Sequence, residues 1–237
     1  MIVKRNDDAV EHLMIAQITD PASQYRGSIP DIYELHNPGA ATSILETGVA
    51  SFIHPASRFH QNSELVGRLR LAAGFLERSQ SPEGFIYLLT TNYDSPPDTG
   101  FASHTVANGA AIARRYGYDD IVRIVQPFLQ KAGAGLAVGG IHTPNHRWVV
   151  SSALSQINEL FPDLRYLHRI DQWLAEGIDI DSDGQYTERS SLVYNTIVDR
   201  SFVVLANKLD RPELLDPVRR NLHSMLYLMH ADGELVT

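Results

Sequence analysis

The sequence has no cysteine among its 237 residues. This absence excludes disulfide scaffolds, cysteine-ligated zinc sites, iron–sulfur clusters and thiol nucleophiles. Positive charge is scarce as well, because 20 Lys and Arg residues stand against 28 Asp and Glu residues, for a formal net charge of −8. Such a balance lacks the basic surface by which proteins bind nucleic acids or anionic membranes without specificity. We therefore expect neither nucleic acid nor a membrane among its partners.

Long hydrophobic runs are missing too. No stretch approaches the roughly 18 consecutive apolar residues of a membrane-spanning helix. The opening residues, MIVKRNDDAVEHLMIAQITD, lack the uninterrupted apolar segment of a signal peptide. Together these absences predict a cytoplasmic protein. With 43% hydrophobic residues, the chain is nevertheless able to bury a sizeable core.

Apolar residues recur at helical spacing over most of the chain. One-sided stripes predict amphipathic helices over 63–78, 119–131, 163–176 and 212–229. Residues that are apolar or small on nearly every side predict buried helices over 103–116, 146–161 and 195–209. Residues 1–42 carry several Pro and Gly and predict a loop-rich N-terminal segment.

Glycine turns repeat at intervals of roughly 50 residues, each after an amphipathic helix. The turns are Glu83-Gly84, Gly139-Gly140, Asp183-Gly184 and Asp232-Gly233. Pairs of outer and inner helices at this period predict an all-α fold over 43–237, an α/α toroid of helical hairpins. Since no inner helix follows the last turn, we expect the toroid to be incomplete.

Polar side chains collect in the loops before the inner helices, which a toroid brings to one mouth. The first loop carries Asn92, Tyr93, Asp98 and His104, and the second carries His142, Asn145, His146 and Arg147. The third carries Tyr186, Glu188, Arg189, Tyr194 and Asn195. These are hydrogen-bonding and proton-transferring groups at helix N-termini, where the helix dipole favours an anion.

The order of Asn145-His146 and then Tyr194, after an Asp-Gly-x-Tyr-x-Glu turn, resembles the heparinase II/III-type polysaccharide lyases. The resemblance runs from about residue 43 to the end. It implies β-elimination on an anionic uronate polysaccharide without a cofactor or metal. It further implies that Asn145 neutralises the substrate carboxylate, with His146 and Tyr194 as base and acid. Members of that family usually continue into a β-sandwich domain, before which this chain ends.

The remaining loop residues are candidate substrate contacts: His104, Arg147, Tyr186, Glu188, Arg189 and Asn195. An anionic polymer would be repelled by a protein of net charge −8 unless the mouth were locally basic. The hypothesis therefore requires Arg147, Arg189 and the histidines to line that mouth. Local structural roles remain open, since Asn145 could cap its helix and Tyr194 could pack in the core.

Two metal patterns are incomplete. His142 and His146 have i, i+4 spacing, but Pro144 lies between them and position 143 is not glutamate. The run from Asp179 to Gly184 matches the start of a calcium loop, but Ser190 stands where the bidentate Glu belongs. We interpret the run as a solvated acidic turn.

Two other functions remain open. One is an α/α-toroid glycoside hydrolase that uses two carboxylates among Asp98, Glu188 and Asp199. The other is a carbohydrate-binding helical array without catalysis. The sequence identifies neither the polymer nor the oligomeric state.

Overall fold

The computed structural model describes residues 1–140 and 143–235, so the predicted candidate His142 lies outside the described residues. In the described part of the chain, the regular secondary structure is helical apart from one two-stranded hairpin, which confirms the all-α prediction. It divides into two compact units, Met1–Leu136 and Ala137–Thr237. None of the described helices is long and apolar enough to cross a membrane.

The first unit contains five helices and the hairpin. The helices are α1 (Ile2–Ala16), α2 (Thr42–Ile53), α3 (Ser63–Arg78), α4 (Pro96–Arg115) and α5 (Asp119–Val138). Strands β1 (Ile86–Leu88) and β2 (Asn92–Ser95) pair antiparallel before α4. α2 packs on α1, α3 and α4 and lies at the centre of this unit.

The second unit contains α6 (Pro144–Leu160), α7 (Leu164–Ala175), α8 (Tyr194–Leu209) and α9 (Leu215–Met225). α6 packs on both α7 and α8, and α8 packs on α9. Trp148 and Phe202 meet in the core with ring centroids 4.6 Å apart. Trp148 and Trp173 are both fully buried, as expected for core residues.

Three predicted elements differ from those observed. The loop-rich segment 1–42 contains α1, whose Asp7 accepts hydrogen bonds from the hydroxyls of Ser51 and Ser57, at 2.6 Å each. Contacts with α2 and its following loop thus hold α1 in place. The region 212–229 is divided between α9 and two short 3-10 turns. α8 has an exposed face that includes Arg200 and Val203, so it is not buried on every side.

Two of the repeated glycine turns pack directly on a helix backbone. Gly84 has φ +98°, and a Cβ there would lie 2.3 Å from the carbonyl oxygen of Lys131 in α5. Gly184 has φ +85°, and a Cβ there would lie 2.5 Å from the carbonyl oxygen of Arg220 in α9. Only glycine combines this backbone conformation with so close an approach. The recurrence of glycine at these turns therefore has a packing cause.

Candidate functional site at the start of helices α6 and α8

A carboxylate from a loop binds the first turn of α6. Oε2 of Glu188 accepts a hydrogen bond from the backbone N–H of Asn145 at 2.9 Å, and Oε1 accepts from Asn145 Nδ2 at 2.6 Å. The N-cap residue Thr143 makes no side-chain cap bond. A carboxylate at this position is favoured by the unpaired amides and the dipole of the helix.

This bond aligns the two helices that carry the predicted catalytic residues. Glu188 belongs to the loop that leads into α8, and it is bound at the N-terminus of α6. Because α6 and α8 also pack along their lengths, their N-termini lie at the same end of the second unit. The structure therefore brings together the second and third predicted loops.

Asn145 is deeply buried, with 1% of its surface exposed. Its side chain does not cap the helix, because its amide nitrogen donates to Glu188 instead. Within the described residues, the Oδ1 of Asn145 has no hydrogen-bond partner. A buried amide oxygen without a partner is costly, and such atoms often mark a functional position.

His146 and Tyr194 are two proton-transferring groups at this end that keep part of their surface exposed. His146 is half-buried in the first turn of α6, and Tyr194 is the first residue of α8 with 41% of its surface exposed. Tyr194 is thus not a core packing residue. Both side chains remain candidates for direct contact with a substrate.

Arg147 lies below the surface, with 5% exposed, and two carboxylates neutralise it. It pairs with Glu176 at 3.0 Å and Asp179 at 2.5 Å, and its guanidinium stacks over Trp148. A further bond reaches the carbonyl oxygen of Gly177 at 3.2 Å. Arg147 therefore joins the chain after α7 to α6. It does not supply the exposed positive charge expected at a basic mouth.

Tyr186 and Asp199 form a buried pair. The hydroxyl of Tyr186, 2% exposed, donates to Oδ1 of Asp199, 8% exposed, at 2.8 Å. Burial raises the pKa of Asp199 to about 6, although the hydrogen bond from Tyr186 opposes that rise. Burial and the nearby Asp199 also raise the pKa of Tyr186. Tyr186 therefore tethers its loop to α8, and its burial does not allow the predicted substrate contact.

Asn195 is also out of reach of a substrate, since its side chain is fully buried. Its Nδ2 lies 3.4 Å from Oε1 of Gln185, and the Nε2 of Gln185 donates to the hydroxyl of Ser224 at 2.5 Å. These contacts connect the loop before α8 to α9. Asn195 was expected to bind substrate, whereas the packing of α8 against this loop places it inside.

Of the two arginines predicted to contact substrate, Arg147 and Arg189, Arg189 is the exposed one. Its side chain is 74% exposed, and its Nη2 lies 3.3 Å from Oδ2 of Asp181. The other oxygen of Asp181 accepts the backbone N–H groups of Asp183 and Gln185. Those bonds lower the pKa of Asp181. The acidic run that resembles a calcium loop is thus a turn closed by its own amides.

His104 lies in the first unit, in α4, and is buried. Asp98 accepts a hydrogen bond from Ser95 at the start of the same helix.

Of the carboxylates considered for a hydrolase, Glu188 is bound to Asn145 and Asp199 is buried beneath Tyr186. Neither is an available partner in a carboxylate pair. Glu176, which pairs with Arg147, was not predicted as a site residue. It follows α7, and no sequence motif distinguishes it from other surface glutamates.

We expect the Asp199→Asn variant to change how stability depends on pH. An unfolded aspartate titrates near ~4, so between that value and pH 6 the folded protein holds this proton more tightly than the unfolded chain. The contribution of Asp199 to the free energy of unfolding is therefore full below pH ~4 and is lost as the pH rises through 6. As the pH rises from ~4 through 6, the free energy of unfolding measured in urea should fall for wild type relative to the variant, by on the order of 2–3 kcal/mol in total.

Asp183→Asn is the matched control, because it removes one charge from an exposed position in the loop before α8. Its stability difference from wild type should stay nearly constant over the same pH range. An equal pH dependence in both variants would contradict the buried state of Asp199.

Comparisons with known proteins add one likeness of fold. No family model matches the chain, and no curated protein matches it. A solved polysaccharide lyase superposes with a TM-score of 0.44 at 10% sequence identity, covering 98% of this chain and 47% of that one. The chain thus spans about half the length of that lyase. A likeness of this size assigns no activity.

Proposed function

We propose that the protein is a carbon–oxygen lyase of the heparinase II/III type, which cleaves a uronate-containing polysaccharide by β-elimination. The observation that carries the proposal is the bond between Glu188 and Asn145. It holds the first turns of α6 and α8 at one end of the second unit, where His146 is half-buried and Tyr194 is 41% exposed. The reaction requires two proton-transferring groups and a cation, and the loop that carries Glu188 also carries the exposed Arg189.

The reaction removes the proton at C5 of a uronate and expels the glycosidic oxygen from C4. The C5–H and C4–O bonds break, a C4–C5 double bond forms, and the departing oxygen gains a proton. One of His146 and Tyr194 accepts the first proton, and the other donates the second. Proton transfer by positioned side chains contributes about 10²–10⁴-fold to such a rate.

The C5 proton becomes acidic only when the neighbouring carboxylate charge is suppressed. In this protein the exposed Arg189 is the cation suited to meet that carboxylate, since Arg147 is buried and already neutralised. Asn145, with 1% of its surface exposed, is enclosed like Asn195, so we assign it no contact with the substrate. Its pair with Glu188 is a positioning contact that holds the first turn of α6 and the loop before α8 together.

The proposal is tested by incubating the full chain with a panel of uronate polysaccharides, such as heparan sulfate, hyaluronan, alginate and polygalacturonate. We expect ultraviolet absorbance from the unsaturated C4–C5 product to rise together with new reducing ends. Reducing ends without absorbance would identify a hydrolase instead. Binding without either product would identify a carbohydrate-binding protein and contradict the proposal.

A further inference from the structure

A cleft of about 400 Å³ lies within the first unit. Its walls come from the loop between α1 and α2, from the C-terminal end of α3, and from β1 and the turn after it. The volume is in the range of pockets that bind small molecules. None of the residues proposed for β-elimination belongs to this cleft.

Fixed aromatic rings form part of the wall. Tyr25 stacks on His36 with ring centroids 3.9 Å apart and planes at 8°, and Nδ1 of His36 shares a hydrogen bond with the hydroxyl of Ser28 at 2.7 Å. The stack covers one face of Tyr25, yet 40% of that residue stays exposed. Tyr87 stands in the same wall and meets Tyr93 edge to face. The rings are therefore held in place before any ligand binds.

The charge of the cleft is opposite to that of the protein. None of its eleven lining residues is acidic, whereas the whole protein carries a net charge of −8. Arg78 is the permanent cation of the wall, and its Nη2 donates to the carbonyl oxygen of Arg26 at 2.6 Å. None of the ion pairs found within residues 1–140 and 143–235 involves Arg78. Its charge is thus available to an anion.

A buried glutamine fixes one part of the cleft wall. Gln80 lines the cleft and is more than nine-tenths buried, and its Nε2 is fixed by the carbonyl oxygens of Gly84 and Phe128. Because the carbonyl oxygens of Gly84 and Phe128 hold Nε2, the side chain of Gln80 stays fixed in the wall whether or not a ligand is bound.

We propose that this cleft binds one uronate ring of a saccharide, as a subsite separate from the residues of β-elimination. The C–H face of the sugar packs against Tyr25 and Tyr87, and the carboxylate pairs with Arg78, whose planar guanidinium suits a carboxylate. The choice of an acidic sugar rests on the proposed lyase function. The existence of an anion-selective sugar cleft rests on the contacts described above.

The test uses free D-glucuronate as the probe and D-glucose as its neutral match, with binding followed by titration of protein NMR shifts. A monosaccharide has no glycosidic bond to cleave, so this result is independent of lyase activity. We expect glucuronate to bind at least about tenfold more tightly than glucose, since a hydrogen bond to a charged group contributes about 1.5–3 kcal/mol.

Variants of the full chain locate the binding. Arg78→Gln should weaken glucuronate about tenfold and leave glucose unchanged, and Tyr25→Ala should weaken both sugars. Arg70→Gln is the matched control, because Arg70 is exposed on the same helix and does not line the cleft. Equal binding of the two sugars, no binding of either, or equal effects of Arg78→Gln and Arg70→Gln would each overturn the proposal.

Discussion

Replacing Tyr194 with phenylalanine is expected to lower kcat on an active uronate substrate by about 10²–10⁴-fold. The change removes only the hydroxyl that would transfer a proton. Within the described residues that hydroxyl makes no hydrogen bond, and the ring is partly exposed at the start of α8, so folding should be preserved. Initial rates of unsaturated product formation measure the loss of kcat, and a thermal unfolding curve checks that folding is preserved.

Tyr227→Phe is the control for that experiment. It makes the same chemical change at an exposed tyrosine of the second unit and should retain wild-type turnover. His146→Ala should lower kcat to a similar degree as Tyr194→Phe. If both Tyr194→Phe and His146→Ala kept full turnover, the assignment of base and acid would be wrong.

Replacing Glu188 with glutamine is expected to lower the free energy of unfolding by about 2 kcal/mol and to lower kcat as well. The carboxylate accepts two N–H groups of Asn145, but a glutamine amide has one acceptor oxygen and turns its NH₂ group towards the second donor. The favourable interaction between the carboxylate and the α6 dipole is lost too. Urea unfolding and steady-state kinetics measure the two effects.

Asp183→Asn again removes one charge from the same loop, at an exposed side chain, and should change stability little. A second variant tests the contact itself. Asn145→Asp places a carboxylate against Glu188 and should destabilise more than Glu188→Gln, whereas the double variant Asn145→Asp with Glu188→Gln should recover much of the loss. Additive losses in the double variant would contradict a direct contact.

Helix positions were largely predictable because the signal is local. α3 occupies 63–78 as the apolar spacing predicts, and α6 and α8 begin within two residues of their predicted starts. α1 was not predicted, because its inward face includes the polar side chain of Asp7. The carboxylate of Asp7 accepts hydrogen bonds from Ser51 and Ser57, more than forty positions along the chain. Local hydrophobic periodicity cannot predict partners at that distance.

The candidate site was predictable in its residues more than in their roles. The sequence placed Asn145 and Glu188 in adjacent loops, and the structure joins them. It also offered Arg147 and Arg189 as equal sources of positive charge. Only one of them is exposed, because Glu176 and Asp179 close over Arg147. Pairing between distant residues decides this difference, and residue type alone does not.

By itself, the sequence determined that the protein is all-α, that its polar loops precede particular helices, and that a thiol takes no part in its chemistry. These properties follow from hydrophobic periodicity and composition, which are local properties of the sequence. The tertiary structure alone decided which polar groups face solvent and which are enclosed: His146 and Tyr194 stay accessible, whereas Tyr186 is buried on Asp199. Burial depends on how α6, α8 and their loops pack together, and that packing is set by contacts between residues far apart in sequence.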